Sequence, residues 1–184
     1  MITFGEAYGS LPVMEKENYT FEGWYTDKTG GSKLTETSAV ELGHDHVIYA
    51  QYKPIEFTIT YYGTEDAQND NPETYNVETG LFSLEKASRR GYTFEGWYDN
   101  ENLEGEEVRA VSANETGNKT FYAKWRENHY KIVYHSNEGK GYSKEQQLAY
   151  TEISTLLKNT YEREGYHFGG WSEETDGEAV YADE

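Results

Sequence analysis

His44-Asp45-His46 is the stretch whose residue types most directly suggest metal chemistry. In an extended segment its two imidazoles lie on the same face, as a zinc-binding pair would. A structural zinc site requires four ligands, however, and the pair supplies only two of them. The motif does not recur elsewhere in the sequence. We therefore interpret it as a solvated turn before a strand and predict no metal site there.

Two loops concentrate oxygen ligands of the kind that calcium prefers: Asp66, Asn69, Asp70 and Glu73 in one, and Glu101, Glu104, Glu106 and Glu107 in the other. The spacing in the first loop differs from the Asp-x-Asp/Asn-x-Asp/Asn-Gly pattern of an EF-hand. The second is a run of like charges, which is usually a hydrated face. The sequence therefore predicts neither a bound metal nor a cofactor.

The sequence contains no arrangement typical of a catalytic site. It has no Gly-x-Ser-x-Gly, no His-Glu-x-x-His and no phosphate-binding glycine loop, since Gly139-Lys140-Gly141 lacks the required preceding glycine. Among 34 acidic residues some pair will always lie at the separation of glycosidase carboxylates, so such a pair is uninformative. We predict that the chain is not an enzyme.

The most regular feature is an aromatic motif that occurs three times. It reads GYTFEGWY at residues 91–98, NYTFEGWY at 18–25 and GYHFGGWS at 165–172. The three tryptophans lie 73 and 74 residues apart, a fixed period that indicates a tandem array.

Each copy of the motif reads as a β-strand. In the second copy, Tyr92 and Phe94 alternate with polar residues and share one face. A bulge at Gly96 is expected to turn Trp97 toward the same core. The residue before each tyrosine is Gly or Asn, which favours a tight turn with positive φ. The predicted structural core is the same triplet in every copy: Tyr19, Phe21, Trp24, Tyr92, Phe94, Trp97, Tyr166, Phe168 and Trp171. A surface platform for a sugar ring is the alternative.

The period divides the chain into three units. Residues 54–126 form a complete unit, 1–53 a unit without its first strand, and 127–184 a unit without its last strand. Further strands are predicted at 2–4, 47–52, 57–62, 74–77, 108–111, 120–125 and 130–134, and a short helix over 81–88. Each incomplete unit should leave an open edge, and is expected to be looser than the middle one or completed by a neighbouring molecule.

Charge and composition exclude several classes of partner. The net charge is −18, which argues against nucleic acid and anionic membranes because both require a basic surface. No apolar stretch approaches the roughly 18 residues of a membrane span, and no signal segment precedes the first strand. The chain has no cysteine, so its 29 aromatic residues must supply the stability that disulfides would give a small unit.

Four features make up the pattern of the units: a Tyr-x-Ile strand, the GYTFEGWY strand, an acidic or Gly-rich loop and a closing YAKW strand. As a combined pattern they resemble the Listeria–Bacteroides repeat, also called the internalin B-type repeat. The third unit departs from it at Gly169 and Ser172. The resemblance implies a β-grasp-like module, a small mixed sheet packed on one short helix, and hence a β-rich α+β fold class. It also implies an extracellular location on the bacterial cell surface, between an adhesive domain and a cell-wall anchor. It carries no catalytic residues.

The function expected from the sequence is that of a non-catalytic spacer or stalk. Its expected partners are the neighbouring repeats of the same chain, with discrete units and small contacts between them. The alternative, from a different functional class, is adhesion: exposed tyrosines such as Tyr25, Tyr62 and Tyr98 would bind a host glycan or protein. Exposure discriminates the two, because a contiguous aromatic patch favours binding.

Overall fold

A computed structural model describes residues 3–183, in which every regular element is a β-strand. The strands are β1 Tyr19–Tyr25, β2 Lys33–Leu34, β3 Tyr49–Pro54, β4 Phe57–Tyr62, β5 Thr74–Tyr75, β6 Phe82–Ser83, β7 Tyr92–Tyr98, β8 Ala110–Val111, β9 Lys119–Glu127, β10 His129–Tyr134 and β11 Lys144–Ala149.

The middle unit is built on a four-stranded sheet with the order β5-β4-β9-β7. Strands β4 and β9 are parallel, with Ile59 opposite Lys119, and the other two pairings are antiparallel. A second, two-stranded sheet pairs β6 with β8. The buried core of this unit consists of Ile59, Tyr75, Ala87, Trp97, Val111, Phe121 and Ala123.

The bulge expected from the glycine in the motif is present. In β7 the register against β9 shifts between Phe94 and Gly96, and Gly96 has φ 144°. The first unit repeats the irregularity, with a shift between Phe21 and Gly23 in β1. The extra residue returns the next side chain to the face occupied by the phenylalanine, so that Trp97 is 1% exposed.

The predicted helix over 81–88 is wrong, and with it the α+β, β-grasp-like fold class: the described residues 3–183 contain no helix. Extended chain replaces it because its backbone groups find partners outside the segment. Asn71 accepts the N–H of Glu85 at 2.6 Å and donates to its carbonyl at 2.9 Å. The N–H of Leu84 donates to Arg109 O at 2.8 Å. An eight-residue segment is too short for helical propensity to compete with these contacts.

The first unit has a smaller, wholly antiparallel sheet in the order β2-β1-β3. Its most buried apolar side chain is Val40, 3% exposed. The predicted strand at 2–4 is wrong for Thr3 and Phe4, which lie in irregular chain and a turn, and Ile2 falls outside the described residues. Phe4 is 66% exposed.

The third unit pairs β10 with β11 in an antiparallel two-stranded sheet. Tyr134 and Leu148 are its buried side chains. The third copy of the motif, expected as a strand, makes only an isolated bridge between Trp171 and Tyr181. Its strand is missing because nothing in 130–183 pairs with it as β9 pairs with β7.

No helix within the described part of the chain has the length and apolarity to cross a membrane.

Candidate functional site

The three predicted core tryptophans lie in different surroundings. Trp97 is buried, whereas Trp24 and Trp171 are half-buried. Each contacts the phenylalanine of its own motif, with ring centroids 6.1 Å apart for Phe21 and Trp24, 5.2 Å for Phe94 and Trp97 and 4.9 Å for Phe168 and Trp171. The tyrosines Tyr19 and Tyr92 are half-buried, but Tyr166 and Phe168 are 66% and 42% exposed.

The same four-residue turn precedes the tyrosine of each motif. The tyrosine N–H donates to the carbonyl three residues earlier, at 3.0 Å from Tyr19 to Lys16, 3.2 Å from Tyr92 to Arg89 and 3.1 Å from Tyr166 to Arg163. The third residue has positive φ, 62° at Asn18, 80° at Gly91 and 81° at Gly165. This is the type II requirement for Gly or Asn at that position, as the sequence predicted.

A cation at the start of each turn lies over the tyrosine that ends it. The distances to the ring centroid are 3.4 Å for Lys16 over Tyr19, 4.3 Å for Arg89 over Tyr92 and 4.2 Å for Arg163 over Tyr166. Such contacts contribute about 0.5–1 kcal/mol at exposed sites. Sequence reasoning missed them, although a basic residue three positions before each tyrosine was available as a signal.

Consecutive units are joined by a backbone hydrogen bond that recurs at the array period. Ile55 N–H donates to Asn18 O in the first joint, and Asn128 N–H donates to Gly91 O in the second, both at 2.9 Å. The connections are short: β9 ends at Glu127 and β10 begins at His129. The turn before each motif is therefore also the part of the unit that contacts the next one.

Side chains reinforce the first joint across the boundary between units. The hydroxyl of Tyr19 donates to Glu78 Oε1 at 2.8 Å. The ring of Tyr19 also lies edge-on to Tyr52 in β3, with centroids 6.5 Å apart. One tyrosine thus connects its own closing strand to the following unit.

A different tyrosine dominates the second joint. The ring of Tyr150, from the third unit, lies edge-on to Tyr92 with centroids 6.1 Å apart. Its N–H donates to Asn128 O at 3.0 Å. Asn128 in turn accepts the hydroxyl of Thr93 through Oδ1 at 2.6 Å. The linker residue therefore has bonds to both units.

Glu127 completes the second joint by accepting two hydrogen bonds from Thr151, one from the N–H at 2.8 Å and one from the hydroxyl. These bonds stabilise the ionised carboxylate, so the hydroxyl and N–H of Thr151 hold the pKa of Glu127 below its ordinary value. The charge of His129 contributes a smaller lowering.

Two of the tyrosines predicted as ligand contacts, Tyr62 and Tyr98, lie on the face of the middle sheet that points away from the core. Tyr62 in β4 and Tyr98 in β7 both pair in register with Tyr122 of β9, so three tyrosines form a row across three strands. The rings of Tyr62 and Tyr122 are stacked, with centroids 5.1 Å and planes 16° apart. Lys124 lies 5.1 Å from the centre of the Tyr98 ring. We call Tyr62, Tyr98 and Tyr122 the tyrosine row.

Neither of the other units has the full tyrosine row. In the first, Tyr25 pairs with Tyr49 in the same register as Tyr98 with Tyr122. In the third, the positions of Tyr62 and Tyr98 are taken by His135 and Ser172. Sequence reasoning singled out Tyr25, Tyr62 and Tyr98 but missed Tyr122, whose place between two tyrosines depends on strand order.

The candidate metal ligands of the first unit are engaged in hydrogen bonds. His46 contacts the Tyr8 hydroxyl through Nε2 at 2.8 Å and His44 O through Nδ1 at 3.0 Å. His44 Nδ1 lies 2.8 Å from Asp45 O. Over residues 3–183 there is no group of three or more His, Asp or Glu side chains placed to hold a metal ion.

The acidic side chains of the two loops pair with neighbouring side chains or are exposed. In the first, Asp66 pairs with Arg89 at 3.5 Å and Asp70 accepts from Gln68 at 3.0 Å. In the second, Glu107 pairs with Arg109 at 3.0 Å, and Glu101, Glu104 and Glu106 are exposed. Beside the first loop, burial and the charge of Glu73 raise the pKa of Tyr61 to about 12. Its neutral hydroxyl donates to Pro72 O at 3.0 Å.

Comparison with known families accounts for the repeated geometry. The Listeria-Bacteroides repeat domain matches the chain at residues 1–51, 57–124 and 130–184. The chain belongs to the Listeria-Bacteroides repeat family. Within these Listeria-Bacteroides repeats, the turn recurs in all three, and the joint bond and the bulge each occur twice.

Relatives of this Listeria-Bacteroides repeat chain include two proteins of Evansella cellulosilytica. One, named as a membrane protein, is 30% identical over 172 residues, covering 89% of this chain and 24% of the relative. The other, named as a Gly-rich membrane protein, is 28% identical over 166 residues, covering 86% and 18%. Internalin H of Listeria monocytogenes is 34% identical over 116 residues, covering 61% and 20%. The chain therefore spans about a quarter or less of these proteins. No solved structure matches it.

Proposed function

We propose that this chain is a non-catalytic spacer, a segment of tandem repeats that holds other parts of a bacterial surface protein at a distance. The observation that carries the proposal is the backbone hydrogen bond that recurs at both joints, from Ile55 to Asn18 and from Asn128 to Gly91. A bond repeated at the array period gives each unit a similar connection to the next. A segment with such joints gains length with every added unit.

Three further features support a stiff spacer. The linkers are too short for independent movement of the units, since one residue separates β9 from β10 and two separate β3 from β4. Side chains cross both joints, through Tyr19 in the first and Tyr150 in the second. The charge of −18 makes the array repel itself, which favours extension. Limited bending is the mechanical property that a stalk requires.

The location that we propose is the bacterial cell surface. The similarity to Internalin H and to two proteins named as membrane proteins supports it. Since the chain covers only a fraction of each relative, the proposal concerns the repeat segment and not the activity of a whole protein.

Distance measurements between units test the spacer directly. The chain has no cysteine, so introduced cysteines are unique sites for spin labels. Thr29, Asn102 and Thr175 are exposed. Thr29 and Asn102 lie at equivalent positions of the first two units, and Thr175 lies in the corresponding loop after the third motif. Two double variants, Thr29→Cys with Asn102→Cys and Asn102→Cys with Thr175→Cys, report on the first and second joints. We expect a single narrow distance distribution for each pair.

A flexible reference makes that measurement decisive. Inserting Gly-Ser-Gly-Ser between Asn128 and His129 uncouples the second joint and leaves the first intact. The insertion should broaden only the second distribution. If the parent chain already shows distributions as broad as the insertion variant, the units move independently and the stiff spacer is wrong.

Adhesion is the second candidate function, and the tyrosine row is the observation that favours it. A contiguous aromatic surface is a common feature of binding faces, because tyrosine offers both ring area and a hydroxyl. Tyr62 is 49% exposed, and on the edge of β4 that faces away from β9 the pairing with β5 covers only Phe57 and Thr58. A host glycan or protein would therefore reach this edge of the row.

Binding of the whole chain to an array of host glycans and matrix proteins, with and without calcium, tests adhesion. If a ligand binds saturably, its binding should be lost in the variants Tyr62→Ala, Tyr98→Ala or Tyr25→Ala. The control is Tyr142→Ala, since Tyr142 is 95% exposed but lies outside the row. Equal loss of binding in the control would indicate non-specific binding. If the folded parent binds nothing, the spacer remains as the proposed function and adhesion is rejected.

A further inference from the structure

The second joint contains a contact that only glycine permits. A Cβ added at Gly91 would lie 2.0 Å from Cδ1, 2.2 Å from Cγ and 2.3 Å from Cε1 of the Tyr150 ring. These distances are far below van der Waals contact, and the ring atoms nearest the backbone cannot move aside without the whole side chain leaving. Tyr150 therefore occupies the space in which any other residue at position 91 would place its side chain.

The first joint differs at both equivalent positions: its turn has a residue with a side chain, and the following unit supplies a smaller residue. The register of the strands identifies them, since Tyr130 pairs with Leu148 as Phe57 pairs with Tyr75. Counting two residues on from Tyr75 and Leu148, the residue equivalent to Tyr150 is Val77. The residue equivalent to Gly91 is Asn18, which has a side chain. A large residue thus occurs with glycine, and a smaller one with asparagine.

The backbone does not choose between the two residues. Both Asn18 and Gly91 take positive φ, at 62° and 80°, and asparagine is the residue that most readily replaces glycine there. The turn would therefore accept either residue in either unit. One difference between the joints is therefore the residue that the next unit supplies at the position of Tyr150.

We propose that the third residue of the turn and the residue that faces it from the following unit form a matched pair that determines which repeat can follow which. A unit with glycine in the turn accepts a following unit with an aromatic residue at the position of Tyr150. A unit with asparagine there requires a smaller residue, such as Val77. The partner recognised by this surface is thus a further repeat of the same family. The inference rests on the spacer function proposed above, because it concerns the same joints.

The chain supplies a matched control for the decisive substitution. Gly165 occupies the equivalent turn position of the third unit with φ 81°, but an added Cβ there meets nothing within 4 Å. Gly91→Asn and Gly165→Asn are therefore the same change in the same backbone conformation, with and without a facing residue. A difference between them reports on the pair and not on the turn.

The experiment uses the whole chain with spin labels at positions 102 and 175, together with hydrogen exchange at the amides of Asn128 and Tyr150, which donate the backbone–backbone hydrogen bonds of the second joint. Gly91→Asn should abolish the narrow distance distribution and accelerate exchange at both amides. Gly165→Asn should leave both readouts as in the parent. Adding Tyr150→Val to Gly91→Asn recreates the combination of the first joint and should restore the narrow distribution.

Several outcomes would overturn the proposal. Unchanged readouts in Gly91→Asn, or an equal disturbance in Gly165→Asn, would each show that the facing residue has no role. Failure of Tyr150→Val to rescue Gly91→Asn would show that size matching is not what the joint requires. A broad distribution in the parent would instead refute the stiff spacer, so the two proposals fail by different measurements.

Discussion

Residues 54–126 and 127–184 contain the same aromatic motif but bury it to very different extents. Trp97 is 1% exposed, and Phe94 packs between it and Trp125. In the third unit Tyr166 and Phe168 are 66% and 42% exposed. The middle unit differs in having β9, which pairs with β7 on one side and β4 on the other. The motif supplies the rings, but the neighbouring strand decides whether they become a core.

The indole nitrogens of the three motif tryptophans also differ, in whether they have a hydrogen-bond partner. Trp97 Nε1 donates to Glu85 O at 2.8 Å, and Trp24 Nε1 donates to Pro12 O at the same distance. In both cases the acceptor lies twelve residues earlier in the chain. Trp171 Nε1 is buried without a hydrogen-bond partner among the described residues. The third unit therefore buries a polar group that the other two units satisfy.

The largest expected effect comes from removing the central indole. Trp97→Ala should destabilise the middle unit by about 3–5 kcal/mol, the usual cost of emptying a buried tryptophan site. Trp171→Ala should cost less, because Trp171 is only half-buried and its removal takes less apolar surface out of the core. Hydrogen exchange in the β7–β9 and β10–β11 ladders measures the two units separately in the whole chain. Equal losses would mean that the third unit has a core comparable to that of the middle unit.

The sequence was sufficient to predict the strands of the main sheet of the middle unit, because each has a clear local pattern, but not β6. Residues 57–62 alternate, and the glycine of the motif marks the bulge between Phe94 and Gly96. It was not sufficient to exclude the helix over 81–88. That segment has helical spacing, and the contacts that keep it extended come from Asn71 and Arg109, distant in sequence.

The joints and the tyrosine row were beyond prediction for the same reason. Tyr122 lies between Tyr62 and Tyr98 only because β9 lies between β4 and β7, an order that no local pattern encodes. The sequence suggested discrete units with small contacts, but it did not identify the side chains and the backbone bond that join the units at each boundary. Local pattern gives the strands, whereas the functional surfaces arise where strands distant in sequence meet.

The next largest effect should follow from Asn71, which is 7% exposed and holds the backbone of Glu85 through two hydrogen bonds. Asn71→Ala leaves a buried N–H without its partner and should cost about 1–3 kcal/mol. Lys144 occupies the equivalent position of the third unit and is exposed. Lys144→Ala should therefore change stability by no more than about 0.5 kcal/mol. Denaturant unfolding of both variants checks the contrast, and similar costs would show that Asn71 does not anchor the segment.

Replacing the indoles by phenylalanine isolates the hydrogen bond of Trp97. Both Trp97→Phe and Trp171→Phe remove a similar volume, but only the first loses a bond, while the second removes a buried N–H that has no partner. Trp97→Phe should therefore cost about 1–2 kcal/mol more than Trp171→Phe. Exchange rates in the two ladders again give the separate values. A larger cost for Trp171→Phe would mean that its nitrogen has a partner in solution.

The smallest expected effect is a pH dependence of the second joint. The folded pKa of Glu127 is lowered, so its hydrogen bonds with Thr151 contribute stability above the ordinary carboxyl pKa and lose it as the pH falls through the lowered value. Acidification should therefore broaden the distance distribution between labels at 102 and 175. Glu127→Gln retains an acceptor oxygen but does not titrate, so the variant should show less broadening in acid than the parent. Because the carboxylate is solvent-exposed, the change should be modest and should diminish further in high salt. If the parent and Glu127→Gln respond identically to acid, the carboxylate does not control the joint, and Tyr150 with the backbone bond must hold it alone.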